Sequence, residues 1–486
     1  MNRLIATLSV GAVIATVAVA ACTGDAGPKG DPGPAGAPGA TGATGATGPA
    51  GAGDGAGGGG GRTLLLSSRA RHGLDISPVP IALTSLTSAQ AEQLGQGSYL
   101  VNAIGACNDC HTPGGPPPVK FLAGGTAFPI DGTNVVYARN LTPDASGMRL
   151  TEAEFITAMR TGKDFGSGGQ ILVVMPWSQL RWLATADLRA IYAYLKAIPA
   201  VANTVPADVK ATSVLNGAPP PAPTKYDEGE VTRLLPPDTD ANGAPVVDVD
   251  AVQRGLAIRP LAAPADLESR SADVQALIGR GAYVANAAQC NDCHTNPSRQ
   301  SLPAQPGYLK VDTAAYLAGG GVFAVPAPLQ PILKQARTMS EDLTGKTNGF
   351  LNEPDDSFGR FLSVITTGTH ADESTDGEPA RALGWPMPWA IYKNMELGDL
   401  EALYTYLKTI PPRLGASDKA TQDYARYCAA TADCAAGETC NTATGECIGA
   451  PCTAPSVAAD CAACQVCTAA KCAPPPAASA CVAQGI

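Results

Sequence analysis

The sequence predicts a mainly α protein made of two tandem copies of one domain, with a low-complexity stalk before them and a small disulfide-rich tail behind. Three observations carry this. Short fragments of residues 62–205 return in the same order within residues 248–414. In each copy, apolar residues recur every three and four positions over several segments, the period of a helix with one buried face. Outside the copies the composition changes abruptly, to glycine at every third position before them and to crowded cysteines after them.

The duplication is dense enough to align by eye. Gly73-Leu74-Asp75-Ile76-Ser77-Pro78 recurs as Gly255-Leu256-Ala257-Ile258-Arg259-Pro260. Gly97-Ser98-Tyr99 recurs as Gly281-Ala282-Tyr283, Leu122-Ala123-Gly124-Gly125 as Leu317-Ala318-Gly319-Gly320, and Met175-Pro176-Trp177 as Met387-Pro388-Trp389. The closing Ala193-Tyr194-Leu195-Lys196 has its counterpart in Thr405-Tyr406-Leu407-Lys408. Helices are expected over 89–103 and 273–287, over 152–161 and 358–367, and over 187–197 and 399–409. The last pair should stop at Pro199 and Pro411, which cannot continue a helix, and Asp187 and Asp399 suit its first turn.

The flanks have their own signatures. Met1-Asn2-Arg3 followed by the apolar run Leu4–Ala21 reads as a signal peptide, residues 1–21, so the mature chain is expected outside the cytoplasm. Val19-Ala20-Ala21-Cys22 resembles a bacterial lipobox, which makes Cys22 the expected lipidation site and a lipid anchor the expected membrane attachment; ordinary cleavage nearby is the alternative. From Gly24 to Gly51 every third residue is glycine, as in collagen. Ten such glycines are few and the period lapses from Gly53 to Gly61, so residues 22–61 are expected to form an extended stalk, with a trimer through a triple helix as the alternative. In polyproline-II geometry the periodic part would reach on the order of 80 Å. Residues 206–247, rich in proline and charge, read as a linker between the copies.

The net charge of −10 argues against nucleic acid as a partner. Of fifteen cysteines, one is Cys22, four lie in two CxxCH motifs, and ten crowd between Cys428 and Cys481. Those ten, in residues 415–486 with few large apolar side chains, imply disulfides in an oxidising compartment. Zinc binding by the tail is the alternative. Cys464-Gln465-Val466-Cys467 has the CxxC spacing, but Thr468 follows where a haem motif needs histidine.

The chemistry rests on Cys107-Asn108-Asp109-Cys110-His111 and Cys290-Asn291-Asp292-Cys293-His294. Two thiols three positions apart can form thioethers to the vinyl groups of a haem, and the following histidine is then held under the iron. A thioredoxin-like pair would need a βαβ setting, and zinc would need further ligands, whereas the chain has four histidines, two of them in these motifs. Two c-type haems are therefore expected, attached through Cys107 and Cys110 and through Cys290 and Cys293, with His111 and His294 as proximal ligands. For the sixth ligand Met175 and Met387 are favoured, because they alone occupy matched settings; the following tryptophan could cover the haem edge. Met159 is expected in the core, Met148 in a turn, and Met339 and Met395 as packing. His72 and His370 are expected at the surface.

Both copies resemble class I cytochrome c domains, in particular those of di- and tri-haem cytochrome subunits of bacterial membrane-associated dehydrogenases. The resemblance rests on the CxxCH segments, Leu-Ala-Gly-Gly, Asn140-Leu141-Thr142-Pro143-Asp144, Met-Pro-Trp and the Tyr-Leu-Lys helix. It covers about residues 62–205 and 248–414; between Leu317 and Met387 the second copy carries extra sequence and only an echo, Asp342-Leu343-Thr344, of the Asn-Leu-Thr segment. The resemblance implies an electron carrier without catalytic residues, exchanging electrons with a dehydrogenase, another cytochrome or an oxidase. A di-haem peroxidase-type enzyme is the alternative, and it requires an iron with a displaceable ligand. An adhesion or scaffold role would leave the haem machinery without purpose.

Overall fold

The chain divides into two units, residues 1–61 and 62–486. The structure, a computed structural model, describes residues 64–113, 120–129, 134–166, 170–209, 222–223, 225–228, 231–236, 251–295, 311–327, 329–333, 335–345, 350–351, 357–370, 381–413, 425–426, 428–434, 439–442, 446–448, 466–468 and 471–473. The signal peptide, Cys22 and the stalk lie outside them.

The first half contributes α1 (Ser68–Asp75), α2 (Ser88–Tyr99), α3 (Cys107–His111), α4 (Glu152–Thr161), α5 (Trp177–Leu180) and α6 (Thr185–Ala197). Local chemistry fixes where several begin. Ser67 caps α1, accepting from the Ala70 amide. Thr87 with Gln90 and Thr151 with Glu154 form capping boxes on α2 and α4, each cap worth about 1 kcal/mol. The predicted helix 89–103 is α2 followed by a wide π turn over Leu100–Ile104, which delivers the chain to Cys107. The second half repeats the series as α7 (Ala251–Ile258), α8 (Ala272–Ala287), α9 (Cys290–His294), α10 (Gln330–Leu333), α11 (Phe358–Thr367), α12 (Trp389–Tyr392) and α13 (Leu397–Leu407). Among the helices of the described residues, only α10 lacks a counterpart. It belongs to the extra sequence, next to strand 322–324, which pairs antiparallel with 335–339.

Each half is closed by a helix crossing that only glycine permits. A Cβ on Gly97 of α2 would lie 1.9 Å from the Ala190 carbonyl oxygen of α6, and one on Gly281 of α8 the same distance from that of Ala402 in α13. The first helix of each half packs as closely, Gly73 against Gly95 and Gly255 against Gly279. Tyr99, Leu188, Tyr194 and Leu195, like Tyr283, Leu400, Tyr406 and Leu407, are buried around these crossings. Met159 and Met395 are buried too.

The halves meet through reciprocal contacts. Tyr99 donates to Asp399 at 2.8 Å and accepts from the Glu396 amide at 2.9 Å. Tyr283, its equivalent, donates to Asp187 and accepts from the Ala184 amide at 2.8 Å. His72 Nε2 meets the Asn394 carbonyl at 2.7 Å, and Arg254, at the matching position, donates to the Trp182 carbonyl. Asp399, 1% exposed, also takes Arg280 at 2.7 Å and Arg69 at 3.0 Å.

Three sequence expectations need correction or refinement here. His370 is fully buried, not at the surface, enclosed beside Phe350 and facing Glu341. His72 is half-buried between the halves, because its ring completes the reciprocal contact just described. Parts of the stretch read as a linker are packed: Tyr226, on the hairpin 225–228 with 231–234, stacks on Trp182, and Arg233 donates to the carbonyls of Arg259 and Leu261. In the tail, disulfides join Cys428 to Cys440 and Cys434 to Cys447, tying the preceding segment to each of the paired strands 439–441 and 446–448. Three of these sulfurs lie close together, but all are oxidised and offer no thiolate to a metal. Among the described residues no helix is long and apolar enough to cross a membrane.

Candidate haem-attachment sites

Both CxxCH segments are single helical turns entered through a left-handed residue, Ala106 (φ 47°) and Gln289 (φ 58°). That entry reverses the chain after the preceding helix. In a helical turn, positions i, i+3 and i+4 share a face, so Cys107, Cys110 and His111 face one side, as do Cys290, Cys293 and His294. The four cysteines are the unpaired thiols among the described residues. Burial, with the neighbouring thiol adding, pushes Cys107 and Cys290 up to about 12; burial likewise pushes Cys110 up to about 11 and Cys293 up to about 12. A thiol–disulfide exchange pair needs the opposite shift.

The two histidines are oriented identically. His111 Nδ1 lies 2.7 Å from the Arg139 carbonyl oxygen, and His294 Nδ1 lies 2.8 Å from that of Glu341. A carbonyl can only accept, so Nδ1 carries the proton and Nε2 keeps its lone pair for a metal. Burial lowers the pKa of both rings, which favours the neutral form a ligand needs. Each histidine's own carbonyl accepts from a glycine of the Leu-Ala-Gly-Gly segment, Gly124 at 2.7 Å and Gly319 at 2.6 Å. The same segments bind the Asn-Leu-Thr loops: Leu141 donates to Leu122 at 2.8 Å and Leu343 to Leu317 at 2.9 Å. Asn140 and Asp342 accept from the amides of Thr142 and Thr344, at 2.9 and 2.7 Å. The faint Asp-Leu-Thr echo is thus a structural equivalent: an aspartate oxygen replaces an amide oxygen and makes the same turn.

In the second half Cys290, Cys293 and His294 line a mostly apolar pocket. Met387 lines it too, with Leu343, Phe361, Tyr392 and Leu403. Met339 and Met395 reach the same cavity, which their sequence setting did not reveal. Trp389 is not among the residues that line this pocket. Trp177 and Trp389 instead press on the left-handed glycines that end α4 and α11: a Cβ on Gly162 or Gly368 would lie 2.2 or 2.3 Å from the indole. The indole Nε1 of Trp177 donates to the Leu172 carbonyl at 2.9 Å. The tryptophan therefore props the methionine turn from behind. Trp385, Phe323 and Thr338 do line the cavity. They lie in the part of the second copy that lacks a close match in the first, so comparison of the copies gave no signal for them.

No family profile matches the chain. The cytochrome c subunit of the quinone alcohol dehydrogenase of Gluconobacter oxydans is 34% identical over 137 residues, 26% of this chain and 28% of its own length. The corresponding subunit of Gluconacetobacter polyoxogenes is 30% identical over 205 residues, 35% and 41% of the two chains. A protein named diheme cytochrome c-type from Cereibacter sphaeroides is 37% identical over 112 residues, 22% and 36%. The chain resembles di-haem cytochrome c and the cytochrome c subunits of dehydrogenases. It spans less than half the length of each of these relatives. Its cofactors are c-type haems, and the two CxxCH turns offer one attachment point each.

The residues fit such a group. Two thiols and an imidazole nitrogen free for a metal line the same mostly apolar pocket, and methionine side chains stand on its wall, which is the donor set and the surroundings a c-type haem requires.

Proposed function

We propose that this chain is an exported electron carrier, with one haem on Cys107 and Cys110 between His111 and Met175, and another on Cys290 and Cys293 between His294 and Met387. The observation that carries the reading is the matched histidine: in both halves the ring is turned by an Nδ1–H bond to a backbone carbonyl, at 2.7 and 2.8 Å, and each half supplies one Met-Pro-Trp turn. When bound, the haem iron supplies one-electron exchange. The protein's part is to hold the imidazole in the ligating tautomer, to keep water from the iron with an apolar wall, and to present a soft thioether on the other side, which favours the reduced state. No group on the wall need gain or lose a proton for the electron to move.

In this reading residues 62–205 and 248–414 are tandem class I cytochrome c domains and residues 206–247 join them. A signal peptide directs export and a lipidated Cys22 anchors the protein to a bacterial membrane. The collagen-like stalk holds the domains away from that surface, and a trimer through it is the competing arrangement. The partners are redox proteins: a dehydrogenase on one side, another cytochrome or an oxidase on the other. The relatives named above support such a carrier and give no support to a di-haem peroxidase.

Met175→Ala should remove the methionine–iron charge-transfer absorption of one haem, Met387→Ala that of the other, and the double variant both. Covalent haem content should stay at two in every case. An unchanged spectrum in the single variants would show that the sixth ligand lies elsewhere, for instance on Met339 or Met395 in the second half.

A further inference from the structure

The residue whose carbonyl receives each histidine's Nδ1–H bond also bears a charged side chain, and the two halves differ in its sign. In the first half it is Arg139, whose guanidinium meets Asp164 at 3.1 Å and Asp208 at 2.7 Å. In the second it is Glu341, whose carboxylate faces His370 Nε2 at 3.3 Å. Asp164 and His370 are equivalent positions, each two residues beyond the left-handed glycine that ends α4 or α11. Both are buried, at 5% and 0% exposure. The same tie between histidine loop and helix corner is therefore built with opposite polarity. Either polarity would hold the carbonyl in place, so the tie alone does not require a particular sign. The sign does decide which charge lies one residue's length from the imidazole.

We propose that Arg139 and Glu341 are positioning residues that also set the two haem potentials separately and in opposite directions, Arg139 raising the first and Glu341 lowering the second. The inference rests on the reading of His111 and His294 as iron ligands. The oxidised site carries one more positive charge than the reduced site. A nearby carboxylate therefore favours oxidation and a nearby guanidinium favours reduction, with an effect that grows as solvent is excluded. Because the Nδ1 bond is to backbone, and glutamine can still hydrogen-bond at the helix corner, a change to Gln removes the charge while keeping the atom that orients the histidine.

The test is a potentiometric titration of the full-length, haem-loaded chain, with each haem assigned through the hyperfine-shifted NMR signals of its ligands. Glu341→Gln should raise the potential of the second haem alone, and Arg139→Gln should lower that of the first alone. Should Arg139→Gln fail to accumulate loaded protein, Asp164→Asn serves instead and should raise the first. Potentials that ignore these substitutions, or both haems shifting alike, would overturn the inference. A wild-type protein whose two haems are not histidine-ligated would instead remove the reading on which it rests.

Discussion

Gly281→Val should leave the protein with one haem in place of two. A side chain at this position has nowhere to go: its first carbon would stand 1.9 Å from the Ala402 oxygen and 2.6 Å from Tyr406 Cβ, and backbone cannot move aside as a flexible side chain can. Relief requires α8 and α13 to separate by more than an ångström. Overpacking of this kind costs about 1–3 kcal/mol and more where backbone is the obstacle, well above the ~1 kcal/mol that replacing glycine in a helix returns. The displaced helices are the ones that matter for attachment, since α8 runs into the Cys290 turn and Leu400, Leu403 and Leu407 of α13 line the cavity. Gly97→Val should do the same to the first half, where the obstacle is the Ala190 oxygen. Pyridine haemochrome stoichiometry with peptide mass spectrometry reads which CxxCH segment has lost its haem. Two haems retained in both variants would mean that the crossings do not support attachment.

Asp399→Ala should cost about 3–5 kcal/mol, because it leaves Arg280 nearly buried between the halves without its partner. Burial by itself would raise the Asp399 pKa. The hydrogen bond and charge of Arg280, the charge of Arg69 and the hydroxyl of Tyr99 outweigh it and hold the carboxyl below its ordinary value. A depressed folded pKa means that this stabilisation is fully present above the unfolded value, near ~3.9, and is lost as pH falls through the folded one. The contact between the halves should therefore be insensitive to pH from neutrality down to about 4 and loosen only in stronger acid. Denaturant midpoints of wild type and variant across this range measure both effects; equal midpoints at pH 7 would remove Asp399 from the account. Asp187→Ala should cost less. That carboxylate is only half-buried; across the halves it accepts from the Tyr283 hydroxyl and adds its charge to that of Asp399 near Arg280.

Much of the site was legible because covalent attachment leaves a fixed spacing. Cys107, Cys110 and His111 fall on one face of a helical turn whatever surrounds them, and a second copy of the pattern at 290–294 removes chance as an explanation. The helices over 152–161 and 358–367 were readable from apolar spacing at three and four residues, and the structure bounds each with a serine or threonine cap and a left-handed glycine. Side-chain environment was less legible. His370 lies two residues after Gly368 and precedes an acidic run, which reads as surface, yet the turn at the glycine brings the chain inward against Phe350 and Glu341. The packing of Trp177 and Trp389 on the glycines that end α4 and α11 was not legible either: adjacency to a methionine in sequence says nothing about which side of the turn an indole takes.

The sequence by itself determined what the chain can bind and how many times, because thioether spacing, ligand type and internal repetition are properties of the order of residues. Tertiary structure alone decided what surrounds the residues that carry those motifs. Which carbonyl orients each histidine, which charge stands behind that carbonyl, and how Tyr99 and Tyr283 tie the halves together all depend on residues 28 to 300 positions apart. Contacts at such range are set by packing of whole elements, and no local pattern records them.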